Sequence, residues 1–242
     1  MKLITLNIWG GHIRSPLLEF IVANRGVDIF CFQEVYHKAQ NKISDDDKAA
    51  SLNIFSEVHT LLPEHNGFFR PVVENTYGIG MFINKKIDVL EEGEVKIHDN
   101  PNYIGHGPTH SRNLQWVKCR ANHQDYFIIN VHGLWNGKGK TDCPERIAQS
   151  QKIKSFLDTI DKPKILCGDF NLRPDTESVK ILEKSMKNLI QLYNVNSTRT
   201  SFYPKAEKFA DYIFTSSEIG VKAFEVLKDE VSDHSPLLLD FV

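Results

Sequence analysis

Apolar residues along this chain fall into short dense runs, and most of those runs meet a polar residue at one end. The run 1–6 stops at Asn7, 27–33 at Glu34, 126–131 at His132, and 164–168 at Asp169, with Asn171 just beyond. Asp211 stands immediately before Tyr212-Ile213-Phe214, and Asp233-His234 just before the run 236–239. Short runs rich in Ile, Val and Phe predict strands near 2–8, 28–34, 68–73, 78–84, 113–121, 125–132, 164–168, 210–215, 221–227 and 236–241. Helical spacing predicts helices near 14–25, 43–62, 144–160 and 176–186. Three of these have start signals. Ser44 with Asp45, Asp46 and Asp47 places negative charge at a helix N-terminus; Asp142-Cys143-Pro144-Glu145 offers an N-cap, a first-turn proline and an early acid; Asp175-Thr176-Glu177-Ser178 offers a third start.

Strands in runs, with helices between only some of them, exclude a strict βαβα alternation. The expected class is α/β, with two packed sheets flanked by helices and several strand ends gathered at one rim. No internal repeat or low-complexity linker interrupts the chain, so residues 1–242 read as a single domain. Strands that repeatedly stop in a carboxylate, amide or imidazole predict one polar cluster at that rim. Carboxylates with a carboxamide suit a hard, oxygen-seeking cation such as Mg²⁺, with Mn²⁺ as a substitute.

Composition narrows the partners. A chain of 242 residues buries roughly 70–75% of its unfolded surface and needs no staple. The formal net charge of −2 excludes a polycationic nucleic-acid coat but permits a local basic patch. Cys31, Cys119, Cys143 and Cys167 show no CxxC spacing, and buried reduced thiols are expected rather than structural zinc. No apolar run has membrane-spanning length, and no signal-peptide pattern opens the chain. A cytoplasmic monomer without an obligate protein partner is the expectation.

Gly168-Asp169-Phe170-Asn171 is the sharpest motif. In extended geometry Asp169 and Asn171 share a side and Phe170 enters the core; the same residues also suit an ordinary Asp/Asn turn. Asp233-His234 is the second. Together with Leu6-Asn7-Ile8-Trp9, Phe32-Gln33-Glu34-Val35, Ala210-Asp211-Tyr212 and Ser232-Asp233-His234-Ser235-Pro236, these motifs resemble the endonuclease/exonuclease/phosphatase superfamily, in its order and from residue 2 to 241. The resemblance implies a four-layer α/β/β/α sandwich and a Mg²⁺-dependent phosphoesterase. It implies that Glu34 is the principal metal ligand, with Asn7 and Asp233 helping to hold the metal or its waters. Asp169 is implied to orient or deprotonate the attacking water, and Asn171 to contact the phosphate. His234, paired with Asp211, is implied as base or as a charged clamp, and His132 as a phosphate-binding or leaving-group histidine. The strand at 76–82 lacks the acid that pancreatic-type nucleases pair with the second histidine. A phosphate-binding role for His132 is therefore the safer expectation, with Tyr77 either lining the site or an ordinary strand residue.

Other signals are weaker. The loop 133–141 ends in Gly139-Lys140-Thr141, but Leu134 stands where a P-loop requires glycine. Its Trp135, Lys138 and Lys140 are either substrate contacts or, for the lysines, solvated residues of a mobile loop. His98, His106 and His110 lie in a Pro/Gly/Asn-rich stretch suited to a site rim, without zinc-ligand spacing. Arg112 and Arg199 are candidate phosphate contacts. Asp142, Arg146 and Gln149 read as a helix-surface set. The leading expectation is hydrolysis of a phosphodiester in DNA or RNA. The alternatives are hydrolysis of an inositol or sphingolipid phosphate, and a catalytically silent binding module on the same fold.

Overall fold

The computed structural model describes residues 1–44, 47–105 and 107–242. Asp45, Asp46 and His106, part of the expected acidic helix start and of the expected rim histidines, lie outside the described residues. Among the described residues, the strands form two six-stranded sheets. The first contains β1 (Lys2–Asn7), β2 (Ile29–Tyr36), β3 (His65–Val73), β4 (Tyr77–Asn84), β11 (Val221–Val226) and β12 (Leu237–Phe241), in the order β11-β12-β1-β2-β4-β3. The second contains β5 (Asp88–His98), β6 (Arg112–Ala121), β7 (Gln124–His132), β8 (Lys164–Asp169), β9 (Lys187–Asn188) and β10 (Asp211–Thr215), in the order β5-β6-β7-β8-β10-β9.

Both sheets are mixed. The parallel pairs are β1/β2 and β7/β8, joined by α1 (Arg14–Ala23) and α3 (Pro144–Asp158). Parallel neighbours require such a crossover and end at the same rim. Here the chain delivers Asn7, Glu34, His132 and Asp169 to the same region.

Alternation along the central strands separates two cores. Leu3, Cys31 and Met81 enter the layer between the sheets, while Ile4, Phe30, Phe32 and Phe82 pack outward against α1 and α2 (Ile54–Leu61). On the opposite side, Ile153 and Leu157 of α3 join Val179 and Leu182 of α4 (Glu177–Glu183) in the core of the second sheet. Because both faces of the central strands are buried, they read as nearly continuous apolar runs.

Several boundaries differ from the sequence expectation. The helix expected over 43–62 begins only at Ile54; Asp47 does not cap it but accepts hydrogen bonds from Tyr36 Oη at 3.0 Å and Ser44 Oγ at 2.8 Å. Asp142 does not cap α3. It caps α4 instead, accepting from the backbone N–H groups of Glu177 and Ser178 at 2.8 and 3.0 Å, while Thr176 provides the local N-cap. Two strands, β5 and β9, and the short helix α5 (Leu189–Leu192) were not expected. Arg146 and Gln149 are not surface residues: both are buried beneath the loop that follows β7.

Gly168 is the most restrictive backbone position beside the site. Its φ is +132°, and an added Cβ would lie 2.0 Å from the Val131 carbonyl oxygen on β7. Gly168→Ala is expected to destabilise the protein by on the order of 3 kcal/mol, combining backbone strain with overpacking. Thermal melting checks this; a variant melting within a degree of wild type would rule out so close an approach.

Candidate active site

Strand register assembles one half of the site. Across the second sheet, Asp211 pairs with Asp169, and Asp169 with His132, so three strands place three polar side chains in a row. The first sheet supplies the facing half through Asn7 at the end of β1 and Glu34 on β2. Between Phe32 and Val35 the β2/β4 ladder changes register, and Glu34 adopts φ +57°. A β-bulge re-aims a side chain in this way, and the left-handed conformation of a non-glycine residue stores strain where surrounding structure enforces it.

Asn7 ties the halves together. Its amide nitrogen donates to Glu34 Oε1 at 2.8 Å and to Asp169 Oδ2 at 3.0 Å. The Trp9 backbone N–H donates to its Oδ1 at 2.9 Å, which fixes the orientation of the carboxamide. Asn171 reaches the same place by a route other than pleat alternation. Its φ is +54°, and its N–H donates to Asp169 Oδ1 at 2.8 Å, closing a tight turn while Phe170 enters the core.

The two histidines have opposite proton polarity. Arg112 Nη1 donates to His132 Nδ1 at 2.9 Å. A guanidinium has no acceptor, so Nδ1 must offer its lone pair and the ring proton sits on Nε2. That Nε2 lies 3.8 Å from Glu34 Oε1 and 3.9 Å from Asp169 Oδ2. Burial, and then the Arg112 charge, hold His132 well below the usual histidine range. His234 is arranged the other way. Its Nδ1 donates to Asp211, 2.8 and 2.9 Å from the two carboxylate oxygens, leaving the Nε2 lone pair 3.7 Å from both Asp169 Oδ2 and Asp233 Oδ1. Asp211 is buried, also accepts from Thr198 Oγ1 at 2.9 Å, and is pushed up by burial to about 6. Burial and the Arg199 charge take His234 down to about 3.

The site opens into a cleft of about 460 Å³. Glu34, Tyr77, Arg112, His132, Asp169, Asn171, Asp233 and His234 line it; Asn7 and Asp211 stand behind them as hydrogen-bonding partners. Tyr77 thus faces the site, with its ring 5.5 Å from that of buried His110. Arg199 also lines the cleft, its Nη1 2.9 Å from Asp233 Oδ2 and its guanidinium 3.9 Å above the Tyr203 ring. Lys140 is not solvated: the residue is 2% exposed, and its ammonium donates to Asn171 Oδ1 at 3.2 Å. Lys138 is exposed, as a loop lysine would be. Trp9, Asp47 and Tyr203 were not recognised from sequence as lining residues. Trp9 closes the Leu6-Asn7-Ile8-Trp9 motif, which was the available signal for it.

Two sets of side chains place donor atoms within 4.8 Å of one another: Glu34, His132 and Asp169, and Asp169, Asp211 and His234. The second is the Asp211–His234 hydrogen bond facing a second carboxylate, Asp169. In the first, His132 carries its proton on the facing nitrogen, leaving two carboxylates as available donors. Burial, followed by the charges of Asp233, Asp169 and Asp47, pushes Glu34 up to about 8 despite the opposing Asn7 hydrogen bond. Crowded, desolvated oxygen donors of this kind fit a hard divalent cation.

The chain belongs to the endonuclease/exonuclease/phosphatase family, whose model matches residues 4–234. It is a hydrolase of that superfamily, whose members generally act on phosphoesters and typically use a divalent metal. The fold is shared with an endonuclease/exonuclease/phosphatase from Bacteroides vulgatus, at 19% identity and TM-score 0.76 over 100% of this chain and 98% of that one. A mannosyl-6-phosphatase of Bacteroides thetaiotaomicron matches at 20% identity and TM-score 0.75, covering 100% and 99%. The human Nocturnin catalytic domain matches at 19% identity and TM-score 0.72, covering 100% and 93%. No curated protein sequence matches the chain. Among the described residues, no helix is long and apolar enough to cross a membrane.

Proposed function

We propose that residues 1–242 act as one catalytic domain that hydrolyses phosphodiesters with the help of Mg²⁺, for which Mn²⁺ can substitute. The observation carrying this reading is the pair of imidazoles beside Asp169: His132 presents an N–H and His234 a lone pair, 3.9 and 3.7 Å from the same carboxylate oxygen. In-line hydrolysis needs an acceptor for the water proton and a donor to a phosphate or leaving oxygen. A single carboxylate flanked by both is arranged for that task.

Glu34 and Asp233 are assigned as metal-binding carboxylates, while Asn7 holds Glu34 and Asp169 at a fixed spacing. A divalent cation bound there would offset the charge of the phosphate and of the oxyanion that develops on it. His234 Nε2 takes the water proton, and Asp211 holds the ring in the tautomer that leaves this nitrogen free. Asp169 orients the water. Asn171 and Arg112 hold non-bridging phosphate oxygens, and His132 Nε2–H donates to the phosphate as charge builds.

Charge balance supports a diester over a monoester. Five carboxylates, Glu34, Asp47, Asp169, Asp211 and Asp233, meet four cations, Arg112, Lys140, Arg199 and Lys205. One divalent ion leaves a single positive charge, which one phosphodiester neutralises. DNA or RNA remains the leading source of that diester, because Trp9, Trp135 and Tyr203 on the cleft walls offer stacking faces for bases. A substrate panel tests the reading: single- and double-stranded DNA, RNA, bis-p-nitrophenyl phosphate, p-nitrophenyl phosphate, inositol phosphates and sphingomyelin. Metal-dependent turnover of diesters is expected. Turnover confined to monoesters would move the chain to a phosphatase, turnover confined to sphingomyelin to a phospholipase, and no metal binding would indicate a silent module.

A further inference from the structure

Among the described residues, the Lys140 ammonium has no carboxylate within ion-pair distance. This ammonium faces the cleft, and among the described residues its one hydrogen bond goes to Asn171 Oδ1. An ammonium has three donors, so two remain without a protein acceptor. Arg199, by contrast, is neutralised by Asp233. The rings of Trp135 and Tyr203 flank the Lys140 nitrogen at 5.8 and 5.7 Å and contribute only cation–π attraction. Burying an unpaired charge is strongly unfavourable, and burial accordingly brings this amine down to about 8.

The surrounding structure nevertheless holds Lys140 in place. Arg173 N–H donates to the Lys140 carbonyl at 2.9 Å. From α3, Arg146 Nη1 donates to the Thr141 carbonyl at 2.6 Å and its Nε to the Leu134 carbonyl at 3.2 Å. Gln149 Oε1 accepts from the Leu134 N–H at 2.9 Å. These buried side chains pin the loop 133–141 at both ends. The position of Lys140 is also complementary to that of Arg112. Lys140 sits in the field of Asp169, Asp211 and Asp233, and Arg112 in that of Glu34 and Asp169. Neither Lys140 nor Arg112 has a carboxylate partner among the described residues; Lys140 reaches the neighbourhood of Asp169 through Asn171, and Arg112 through His132.

We propose that Lys140 is a further substrate-binding residue, donating to a non-bridging oxygen of the scissile phosphate opposite Arg112, with Arg146 and Gln149 as positioning residues for its loop. The proposal rests on the phosphoester reading of the site. It places the contact on the reacting phosphate rather than on a neighbouring one. The smallest diester, which has a single phosphate, must therefore feel its loss.

The test compares wild type, Lys140→Met and Lys140→Arg. It measures affinity for inorganic phosphate by calorimetry, kcat/KM on bis-p-nitrophenyl phosphate, Mn²⁺ affinity and Tm. Lys140→Met is expected to weaken phosphate binding and lower kcat/KM by on the order of tenfold or more, the size of a lost charge-assisted hydrogen bond. Mn²⁺ affinity should be retained and Tm maintained or raised, and Lys140→Arg should recover most of the loss. Unchanged phosphate affinity, or unchanged kcat/KM on this single-phosphate substrate, overturns the proposal. A measurement on wild type needs no folded variant: phosphate should slow acylation of the Lys140 amine, read by mass spectrometry, and an unaffected rate overturns it equally. If wild type hydrolyses no phosphoester yet binds phosphate through Lys140, the hydrolytic reading fails and the anion site stands. Normal hydrolysis by Lys140→Met removes the site alone.

Discussion

His234→Ala should lower turnover by on the order of 10²–10⁴-fold, the usual worth of a positioned acid–base group, while leaving the fold intact. The imidazole makes its strong contacts with Asp211 and faces the cleft with its other nitrogen, so its removal leaves both sheets and their cores untouched. The buried Asp211 retains the Thr198 hydroxyl as a partner. In wild type the His234 ring is neutral at pH 7, because burial and Arg199 oppose its protonation. The free lone pair is the form a proton acceptor needs. Rates on bis-p-nitrophenyl phosphate, with circular dichroism and a melting curve as controls, decide the matter. Near-full turnover by a folded His234→Ala variant would transfer the base role to Asp169. Asp211→Asn separates holding the ring from polarising it: it can retain a hydrogen bond to His234 but loses the charge that stabilises the imidazolium.

Glu34→Gln should abolish metal-dependent turnover and, in metal-free protein near pH 8, raise the melting temperature. Both effects come from the same carboxylate. Its folded value lies near 8 against an ordinary 4.5, so the folded state holds the proton more tightly than the unfolded chain. That contribution to stability is complete below about 4.5 and is lost as pH rises towards 8. The other shifted groups leave a clean window. His132, His110 and His234 are lowered, so their linkage lies below 6.5; Asp211 rises only to about 6; Lys140, lowered to about 8, acts above that pH. Between pH 6.5 and 8, metal-free wild type should lose up to about 1.4 kcal/mol per pH unit, or roughly 4–8 °C in Tm across the window. Glu34→Gln, which cannot ionise, should show a flat profile there. Mn²⁺ should raise the wild-type Tm and leave the variant nearly unmoved. A wild-type Tm that is constant across this window without metal would remove Glu34 from the crowded-carboxylate description.

The strand-end motifs were legible because the central strands are buried on both faces and therefore stand out as apolar blocks with a polar stop. Asp211, Asp169 and His132 were correctly placed near one another on that pattern alone, since neighbouring strands in register carry their ends together. β5 was missed because it is an edge strand with one wet face: Glu91, Glu92, Glu94 and Lys96 dilute its apolar residues. The helix at 43–62 was overextended because helical spacing continues through residues whose hydrogen bonds go elsewhere, as Asp47 shows with Tyr36 and Ser44. Arg146 was misread as a surface residue, and Lys140 was left open between a substrate contact and a solvated loop residue, for a common reason. Long charged side chains ordinarily lie on the surface, and nothing local announces that backbone carbonyls of a returning loop will surround a guanidinium. Asn171 shared a side with Asp169 as expected, but through a left-handed turn that alternation does not encode.

β12 lies beside β1, pairing Lys2 with Asp240 and Thr5 with Leu237, while Ser232 Oγ donates to the Asn7 carbonyl at 2.7 Å. Contacts across more than two hundred residues are kinetically late, because loop-closure entropy must be overcome before they form. Asn7 and His234 reach their final geometry only once that pairing closes. A ribosome-bound chain still lacking β12 would therefore lack the assembled site, however much of the second sheet had already folded. In refolding, catalytic activity should return in the slowest phase, after most of the secondary structure is in place.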